Sequence, residues 1–377
     1  GTNALTDNTS TLAVGIATVG ALHVNGNAYP SAGPLSNRNL IINAAMQLAQ
    51  RGTSETGITA SGYYTVDRFQ LNTTDEATYT MEQSTDAPAG FKNSLKFTVT
   101  TADSSIEAGD YAACHYLIEG YDTVQLGFGA SGAKSFTLSF YVKSSQTGTF
   151  GLNFQNYGND RSFDSSYTIN AADTWERKTI TIPGDTSGTW RTDDGAGLKI
   201  WWSFLVGSTY EASAVSTAWG TSLKLGLNGQ VQLSSINNAT WQITGVQLET
   251  GSVATPFEYR SYNDELTRCQ RYYTRYDHSS SGMGLNAPGY YNTSSVIYNR
   301  ISLPTPMRTE GMTFTYSNLS HFDLEPWDYA MTSVTLYKIA PNVVTLECDP
   351  ATNRAQGDVA FLTLDQTNAW VALESEL

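Results

Sequence analysis

The chain has 377 residues, with 21 Lys and Arg against 35 Asp and Glu, so its formal net charge is −14. Charged residues make up 15% of the sequence, below the roughly 25% usual for globular domains, so Ser, Thr, Asn, Gln and Gly must supply most of the polar surface. An acidic chain without a Lys/Arg cluster argues against nucleic-acid binding, and the lack of an apolar run of roughly 18 residues argues against membrane insertion.

The N-terminal arm, residues 1–38, is rich in Gly, Ala, Asn and Thr. Alternating apolar residues from Leu12 to Ile16 and from Leu22 to Val24 predict two short strands with too little apolar area to fold alone. We expect this arm to pair with another chain or another copy of itself, and a disordered leader is the alternative.

Residues 39–260 are consistently β in pattern. Period-two or continuous apolar runs recur between Gly, Asp, Asn and Ser residues, which is typical of a β-sandwich or jelly roll. The run from Phe136 to Val142 is the clearest half-buried strand, because four large apolar side chains share one face. The predicted strands are Tyr63 to Leu71, Ala77 to Gln83, Ser94 to Thr100, Ala112 to Leu117, Ser135 to Lys143, Thr149 to Gln155, Trp175 to Ile182, Leu198 to Val206 and Ala239 to Glu249.

Residues 261–276 are predicted to form a helix, the one helix that the sequence pattern supports convincingly. Ser261 is a candidate N-cap, and Asp264 lies four residues before Arg268, the favourable order for a helical ion pair. Five apolar or aromatic residues follow a 4-3-4-3 spacing, which predicts one seam packed on copies of the same helix. A linker helix lying on its own β domain is the alternative. The seam consists of Tyr262, Leu266, Cys269, Tyr273 and Tyr276.

Residues 277–377 return to a β pattern and predict a second, smaller sandwich. Pro304, Pro306 and the Asp349-Pro350 pair break its strands. The predicted strands are Ser295 to Leu303, Met312 to Tyr316, Ser333 to Ile339, Asn342 to Glu347 and Val359 to Leu364. The chain is therefore expected to be mainly β: an arm, a large sandwich, a short helix and a smaller sandwich.

The sequence offers little chemistry for catalysis, metals or cofactors. None of the four histidines lies in a recognisable motif, and no GxSxG, HExxH, GxxxxGKS or GxGxxG occurs, so we expect a non-enzymatic protein without a cofactor. Cys114, Cys269 and Cys348 are few and scattered, which predicts buried thiols rather than disulfides or a zinc site. The Asp193-Asp194 pair predicts a solvated turn, with a structural Ca²⁺ as the alternative.

Aromatic residues in loop-like segments are the strongest hint of a contact surface. Their flat faces suit sugar rings or a partner's interface, although most aromatics of β domains belong to the core. Tyr290, Tyr291, Trp327 and Tyr329 are the predicted glycan or receptor contacts. For Trp201-Trp202, whose side chains point to opposite faces of a strand, we expect at least one to be buried.

Two long blocks resemble bacteriophage virion fibre proteins, the tail fibres and capsid fibres of marine phages including those of cyanobacteria. They are NLIINAAMQLAQRGTS with GYYTVDRF, and WQITGVQLETGSVATPFEYRSYNDELTRCQRYY with SLPTPMR; together they bracket residues 39–308. The large domain also resembles the jelly rolls of carbohydrate-binding modules. Asn39, Leu40 and Asn43 match the opening of those modules, whereas Ala44-Ala45 stands where they tend to carry Gly-Asp.

These resemblances imply a homotrimer with its junction at 261–276. The leading hypothesis is a virion protein, assembled in the host cytoplasm, that attaches to other virion proteins through residues 1–38. Its C-terminal residues 277–377 would then contact host surface polysaccharide or lipopolysaccharide. A polysaccharide depolymerase and a purely structural head or tail spacer are the alternatives.

Overall fold

The structure, a computed structural model, describes residues 22–24, 27–29, 37–278, 285–326 and 329–377. Within these ranges the chain is mainly β, as predicted, with two α-helices, α1 (Gly120–Thr123) and α2 (Tyr262–Gln270). Neither helix is long and apolar enough to cross a membrane. The strands are β1 (Leu22–Val24), β2 (Asn27–Tyr29), β3 (Ser54–Ile58), β4 (Phe69–Thr73), β5 (Thr78–Ser84), β6 (Ser94–Thr101), β7 (Tyr111–Glu119), β8 (Phe136–Ser144), β9 (Gly148–Gln155), β10 (Ser162–Ile169), β11 (Glu176–Ile182), β12 (Ala196–Val206), β13 (Glu211–Ala212), β14 (Gly226–Leu227), β15 (Thr240–Thr250), β16 (Tyr273–Asp277), β17 (Asn286–Tyr291), β18 (Ile297–Ser302), β19 (Thr313–Tyr316), β20 (Phe322–Glu325), β21 (Met331–Ala340), β22 (Val343–Pro350), β23 (Val359–Leu364) and β24 (Trp370–Glu374).

In the N-terminal arm, β1 and β2 pair antiparallel, with Leu22 opposite Tyr29. The other predicted strand, from Leu12 to Ile16, lies outside the described residues. Attachment through this arm stays a prediction.

Two antiparallel sheets form the N-terminal sandwich. One has five strands in the order β10-β9-β12-β7-β4, and the other has six in the order β11-β8-β15-β6-β5-β3. Phe136, Leu138, Phe140 and Val142 are fully buried between them, which confirms the alternation predicted for β8. Across the core the Phe140 ring meets Trp202 edge-on at 5.9 Å. Each such large side chain contributes about 1.5–3 kcal/mol through burial.

The Asn residues of the first motif are structural. Asn39 Nδ2 donates to Val246 O at 3.0 Å, and its Oδ1 accepts from Leu248 N at 3.1 Å, so this side chain fastens the start of the sandwich to β15. Asn43 has a left-handed φ of 57° and donates to Leu48 O at 2.8 Å. Both side chains are buried, so neither is free to bind a sugar.

The C-terminal sandwich combines a six-stranded and a three-stranded sheet. The strand orders are β20-β23-β17-β18-β22-β21 and β16-β24-β19. A separate core lies between them, with Leu346, Cys348, Leu362 and Val371 fully buried. Together with Cys114 and Cys269, which are likewise buried and free, Cys348 behaves as the small apolar residue that the sequence predicts.

The helix predicted at 261–276 is wrong over its second half. Its start is confirmed, because Ser261 Oγ accepts from Asp264 N at 3.2 Å and the Asp264–Arg268 ion pair forms at 3.2 Å. However, α2 ends at Gln270, and Tyr273 already lies opposite Glu374 in the β16–β24 ladder. The strand partner comes from the end of the sequence, and local periodicity cannot reveal it.

The predicted trimer seam therefore does not exist as one helical face. Tyr262 is 54% exposed, Leu266 and Cys269 pack into a small cluster within the chain, and Tyr273 and Tyr276 belong to a strand. These five residues therefore do not support a helical trimer junction. Trimer formation itself remains a prediction.

Two layers of contacts join the sandwiches. In the apolar layer, Ile42 and Leu48 pack on Cys269 and Tyr272. The Tyr272 hydroxyl also donates to Glu119 Oε2 at 2.5 Å. These contacts fix α2 against the N-terminal sandwich.

The second layer is ionic and buried. Arg68 is 1% exposed, pairs with Glu376, and holds its guanidinium 3.5 Å from the centre of the Tyr272 ring. Arg51 contacts Glu374 at 3.0 Å and Glu376 at 3.1 Å. The strand predicted at Tyr63 to Leu71 begins only at Phe69, and the residue before it, Arg68, has a left-handed φ of 73°. The C-terminal residues are thus anchored in the N-terminal sandwich.

Candidate functional site

The predicted C-terminal contact surface does not come together. Tyr291 is fully buried in the C-terminal core, whereas its strand neighbour Tyr290 is 43% exposed, because successive residues of β17 point to opposite faces. Tyr329 is half-buried against that core, with Arg354 5.4 Å from its ring centre. Trp327 lies outside the described residues. Tyr290 and Tyr291 therefore do not share one surface.

Tyr290 instead belongs to a row of three tyrosines on the outer face of the six-stranded C-terminal sheet. It meets Tyr298 edge-on at 6.3 Å, and Tyr298 stacks on Tyr337 at 4.5 Å with an interplanar angle of 12°. Each of these rings therefore packs against a neighbouring ring on the outer surface of the sheet.

A groove lies on the outer face of the five-stranded sheet of the N-terminal sandwich. In β12 the alternation sends Ile200 and Trp202 into the core and leaves Lys199 and Trp201 on the outer face. Trp202 is fully buried, which confirms the prediction for this pair. Register then builds a row across four strands, because Trp201 lies opposite Asn153 on β9 and opposite His115 on β7, and His115 lies opposite Gln70 on β4.

The groove has one wall from each sandwich. On one side the connection after β12 places Tyr210, Leu223 and Leu225 against Trp201. On the other side stand Glu310 and Arg308 of the C-terminal sandwich. Arg308 Nε donates to Asp194 O at 2.6 Å, so this wall is tied to the N-terminal sandwich.

Two connected depressions of about 270 and 440 Å³ form the groove. They share Asn72, His115 and Lys199. Tyr157 borders the larger depression and is 54% exposed. The size of the larger depression falls within the range of about 300–1,000 Å³ usual for small-molecule sites.

His115 is the centre of the groove. Its ring stacks on Trp201 with centroids 3.8 Å apart and an angle of 26°. The side-chain amides of Gln70 and Asn72 lie 3.1 and 3.3 Å from His115 Nδ1. Because amide nitrogens only donate, Nδ1 accepts and Nε2 carries the ring proton. Burial, assisted by the nearby Lys199 charge, holds the pKa of His115 well below its usual 6.5, so the ring is neutral.

Several polar atoms of the groove residues have no hydrogen-bond partner. These are His115 Nε2, Trp201 Nε1 and Gln155 Oε1, all on side chains that are at least nine-tenths buried. Leaving such an atom unpaired costs about 1–3 kcal/mol. These atoms have almost no solvent-exposed surface, so a hydroxyl-bearing ligand would bond to them only where the side chains around them shift.

A second concavity lies on the opposite face of the same sandwich, above the six-stranded sheet. This aromatic cleft encloses about 570 Å³ and is lined by Phe91, Tyr141, Phe257 and Tyr259, with Arg177 at one side. Its rings pack on one another, with Phe91 and Phe257 centred 5.0 Å apart and Phe257 and Tyr259 4.8 Å apart. None of its lining residues keeps a buried polar atom unpaired.

Sequence reasoning missed the groove, although one signal was present. In KIWWSF the even positions are apolar and the odd positions, Lys199, Trp201 and Ser203, are polar or amphipathic. An indole on the polar face of a strand is the feature that marks the site. Among the residues that the structure describes, no group of three or more His, Cys, Asp or Glu side chains is arranged to hold a metal ion.

No protein-family model matches the sequence, and no curated protein matches it. Among solved structures, it is similar to the enzymatically active domain of bacteriophage CBA120 tailspike protein 4, with 13% identity over 56% of this chain and a TM-score of 0.31. It is also similar to a CBM4 structure, at 12% identity over 55% of this chain and a TM-score of 0.28. A third similar structure is TmCBM61 in complex with beta-1,4-galactotriose, at 9% identity over 57% of this chain and a TM-score of 0.28. The aligned part spans 21% of the tailspike chain, 97% of the CBM4 chain and 99% of the TmCBM61 chain.

Proposed function

We propose that the chain binds a polysaccharide in the groove and acts as a non-enzymatic adhesion module. The observation that carries this proposal is the stacked His115–Trp201 pair, flanked by buried polar atoms that have no partner. An aromatic face beside unmet donors and acceptors matches a sugar ring, which is apolar on its C–H face and rich in hydroxyls at its rim.

The neutral state of His115 supports the same proposal. A neutral imidazole with Nδ1 occupied presents one N–H donor, which suits a hydroxyl or ring oxygen of a neutral or acidic sugar. The two connected depressions offer room for more than one sugar unit along the sheet.

The setting we propose is a homotrimeric fibre of a phage virion, tail or head, joined to other virion proteins through residues 1–38 and facing host surface polysaccharide or lipopolysaccharide. The sequence blocks that resemble phage fibre proteins support this setting. In this proposal the glycan binds in the groove, whose floor belongs to the N-terminal sandwich, rather than on residues 277–377 alone.

The proposal is tested by screening the whole chain on a glycan array and measuring the strongest ligands by titration calorimetry. We expect the affinity to fall about tenfold or more in His115→Ala. It should be unchanged in Tyr290→Ala, because Tyr290 lies on the outer face of the C-terminal sheet, away from the groove. Trp201→Phe keeps one aromatic ring on the groove floor and removes the five-membered ring with its Nε1 donor, so it should weaken binding less than His115→Ala. An array without signal, or a loss in Tyr290→Ala alone, would contradict the groove.

The virion setting has separate tests. Sedimentation should give a species of three times 41.0 kDa, and immunoelectron microscopy should locate the chain on the particle. Incubation with a bound polysaccharide should release no reducing ends. A monomer, or an unlabelled particle, would remove the fibre proposal and leave the glycan groove intact.

A further inference from the structure

The charge inside the groove points to the class of sugar. Lys199 is half-buried on the groove floor, two residues from Trp201 on the same face of β12. Its Nζ donates to Asn159 Oδ1 at 2.8 Å and to Tyr157 O at 3.2 Å, both neutral acceptors. Its Nζ also lies 5.5 Å from the centre of the Tyr157 ring. An ammonium group has three donors, and no carboxylate accepts from the third.

Lys199 forms no ion pair with any residue that the structure describes. Other lysines of the same sandwich do: Lys96 lies 3.1 Å from Glu82, and Lys178 lies 2.5 Å from Glu176. Burial lowers the pKa of Lys199 from 10.5, and no carboxylate counters that effect. Lys199 therefore contributes a positive charge without a partner carboxylate to a protein of net charge −14.

The carboxylates that line the groove are already taken. Glu310 lies 3.5 Å from Arg191 Nη2 and 3.7 Å from Arg308 Nη2. Glu376 lies 3.1 Å from Arg51 in the buried network that joins the two sandwiches. The groove therefore offers one unpaired positive charge beside its aromatic floor and no unpaired negative side chain among its described lining residues.

We propose that the groove selects an acidic saccharide and that Lys199 binds the anionic substituent of its sugar ring. This inference rests on the proposed glycan-binding function and narrows its substrate class. Residues two apart on a strand are about 6.6 Å apart, so a ring packed on Trp201 can direct a carboxylate or sulfate toward Lys199. A charge-assisted bond to a partly desolvated ammonium is worth about a tenfold gain in affinity or more.

The test uses the full chain and matched pairs of glycans. Polygalacturonate, alginate and hyaluronan oligosaccharides are each compared with their carboxyl-reduced forms, and each reduced form is also compared after sulfation. We expect at least tenfold tighter binding to the acidic member of a pair, weakening as salt is added. Lys199→Met should abolish the preference, and Lys199→Arg should keep it.

Lys224→Met is the matched control. Lys224 is also half-buried and donates to a backbone oxygen, Thr209 O at 2.9 Å, but it does not line the groove. This variant should bind like the unaltered chain.

The outcomes separate the two proposals. A preference for the sulfated over the carboxylated member supports the inference and identifies sulfate as the anion. Equal affinity within every pair, or a preference that survives in Lys199→Met, overturns the inference and leaves glycan binding standing. An absence of binding to every acidic and neutral member overturns the proposed function together with it.

Discussion

The two outer faces of the N-terminal sandwich carry two different concavities. The aromatic cleft is a single depression of about 570 Å³ that presents four rings, whereas the groove comprises two depressions of about 270 and 440 Å³ around one stacked pair. In the cleft, the rings pack edge-on against one another. In the groove, His115 and Trp201 stack and still leave polar atoms unpaired. We therefore place the proposed ligand site in the groove, because unpaired polar atoms beside an aromatic face occur there and not in the cleft.

The two concavities also differ in construction. Residues 89–259 alone line the cleft, whereas Arg308, Glu310 and Glu376 of the C-terminal sandwich line part of the groove. The groove should therefore depend on the buried contacts between the sandwiches, and the cleft should not.

The largest effect is expected from Arg68→Met. Removing the guanidinium leaves the buried Glu376 carboxylate paired only with Arg51. The loss of this ion pair should lower the free energy of unfolding by about 3–5 kcal/mol. Urea denaturation measures this loss. Hydrogen exchange should rise at residues 308–311 beside the groove and stay unchanged at 254–259 in the cleft.

Lys96→Met is the control for Arg68→Met. Lys96 pairs with Glu82 at 3.1 Å with both side chains partly solvated, so its removal should change stability by about 0–1 kcal/mol. Similar losses in the two variants would show that the junction is not the anchor of the groove wall.

The second largest effect is expected on glycan affinity, which two variants compare between the groove and the cleft. Trp201→Ala should weaken glycan binding by about 2 kcal/mol or more, roughly 30-fold, because it removes the stacking face of the groove. Tyr259→Ala removes a cleft ring that is 59% exposed and should leave affinity unchanged. Calorimetry on both variants decides between the faces, and a larger loss in Tyr259→Ala would assign the site to the cleft.

A third variant disturbs the cleft without touching the groove. Gly245 has a φ of 59°, and a Cβ placed there would lie 2.6 Å from Phe91 Cζ. Gly245→Ala should therefore cost about 1–2 kcal/mol of stability beyond backbone strain and leave glycan affinity unaltered. Gly57→Ala supplies the strain alone, because Gly57 has a φ of 71° and open space around it. Equal melting temperatures for the two variants would mean that the cleft rings move freely.

Local pattern explains which parts of the fold could be predicted. Strands such as β8 carry an alternation of apolar side chains that the sequence displays directly. By contrast, β10 has the sequence SFDSSYTI, in which polar residues hide the alternation, and β16 continues a helical spacing. These strands exist because distant partners complete their hydrogen-bond ladders.

The candidate site was harder to predict from the sequence than the fold, because it too depends on contacts between distant strands. The alternation in β12 predicts that Trp201 and Trp202 face opposite ways, but only the register of β12 with β7 brings Trp201 onto His115. The predicted cluster of Tyr290, Tyr291, Trp327 and Tyr329 rested on exposed rings alone. Tyr291 shows the weakness of that argument, since its neighbour is exposed and it is buried.

The smallest effect concerns pH and again separates the two concavities. Burial depresses the pKa of His115 well below 6.5 in the folded chain, whereas the unfolded chain takes up this proton near pH 6.5. Stability should therefore be fully present above pH 6.5 and fall as the pH drops, by less than about 1 kcal/mol between pH 7.5 and 6. The difference between the unaltered chain and His115→Gln in urea denaturation isolates this contribution, because the other histidines are common to both. In Lys199→Met, which lacks the other titratable cation of the groove floor, glycan affinity should stay constant from pH 8 to 6.5, because His115 remains neutral. Affinity of this variant that rises on acidification in that range would contradict the buried, neutral ring. No histidine lines the cleft, so an acid-sensitive change confined to residues 254–259 would contradict the assignment of this effect to the groove.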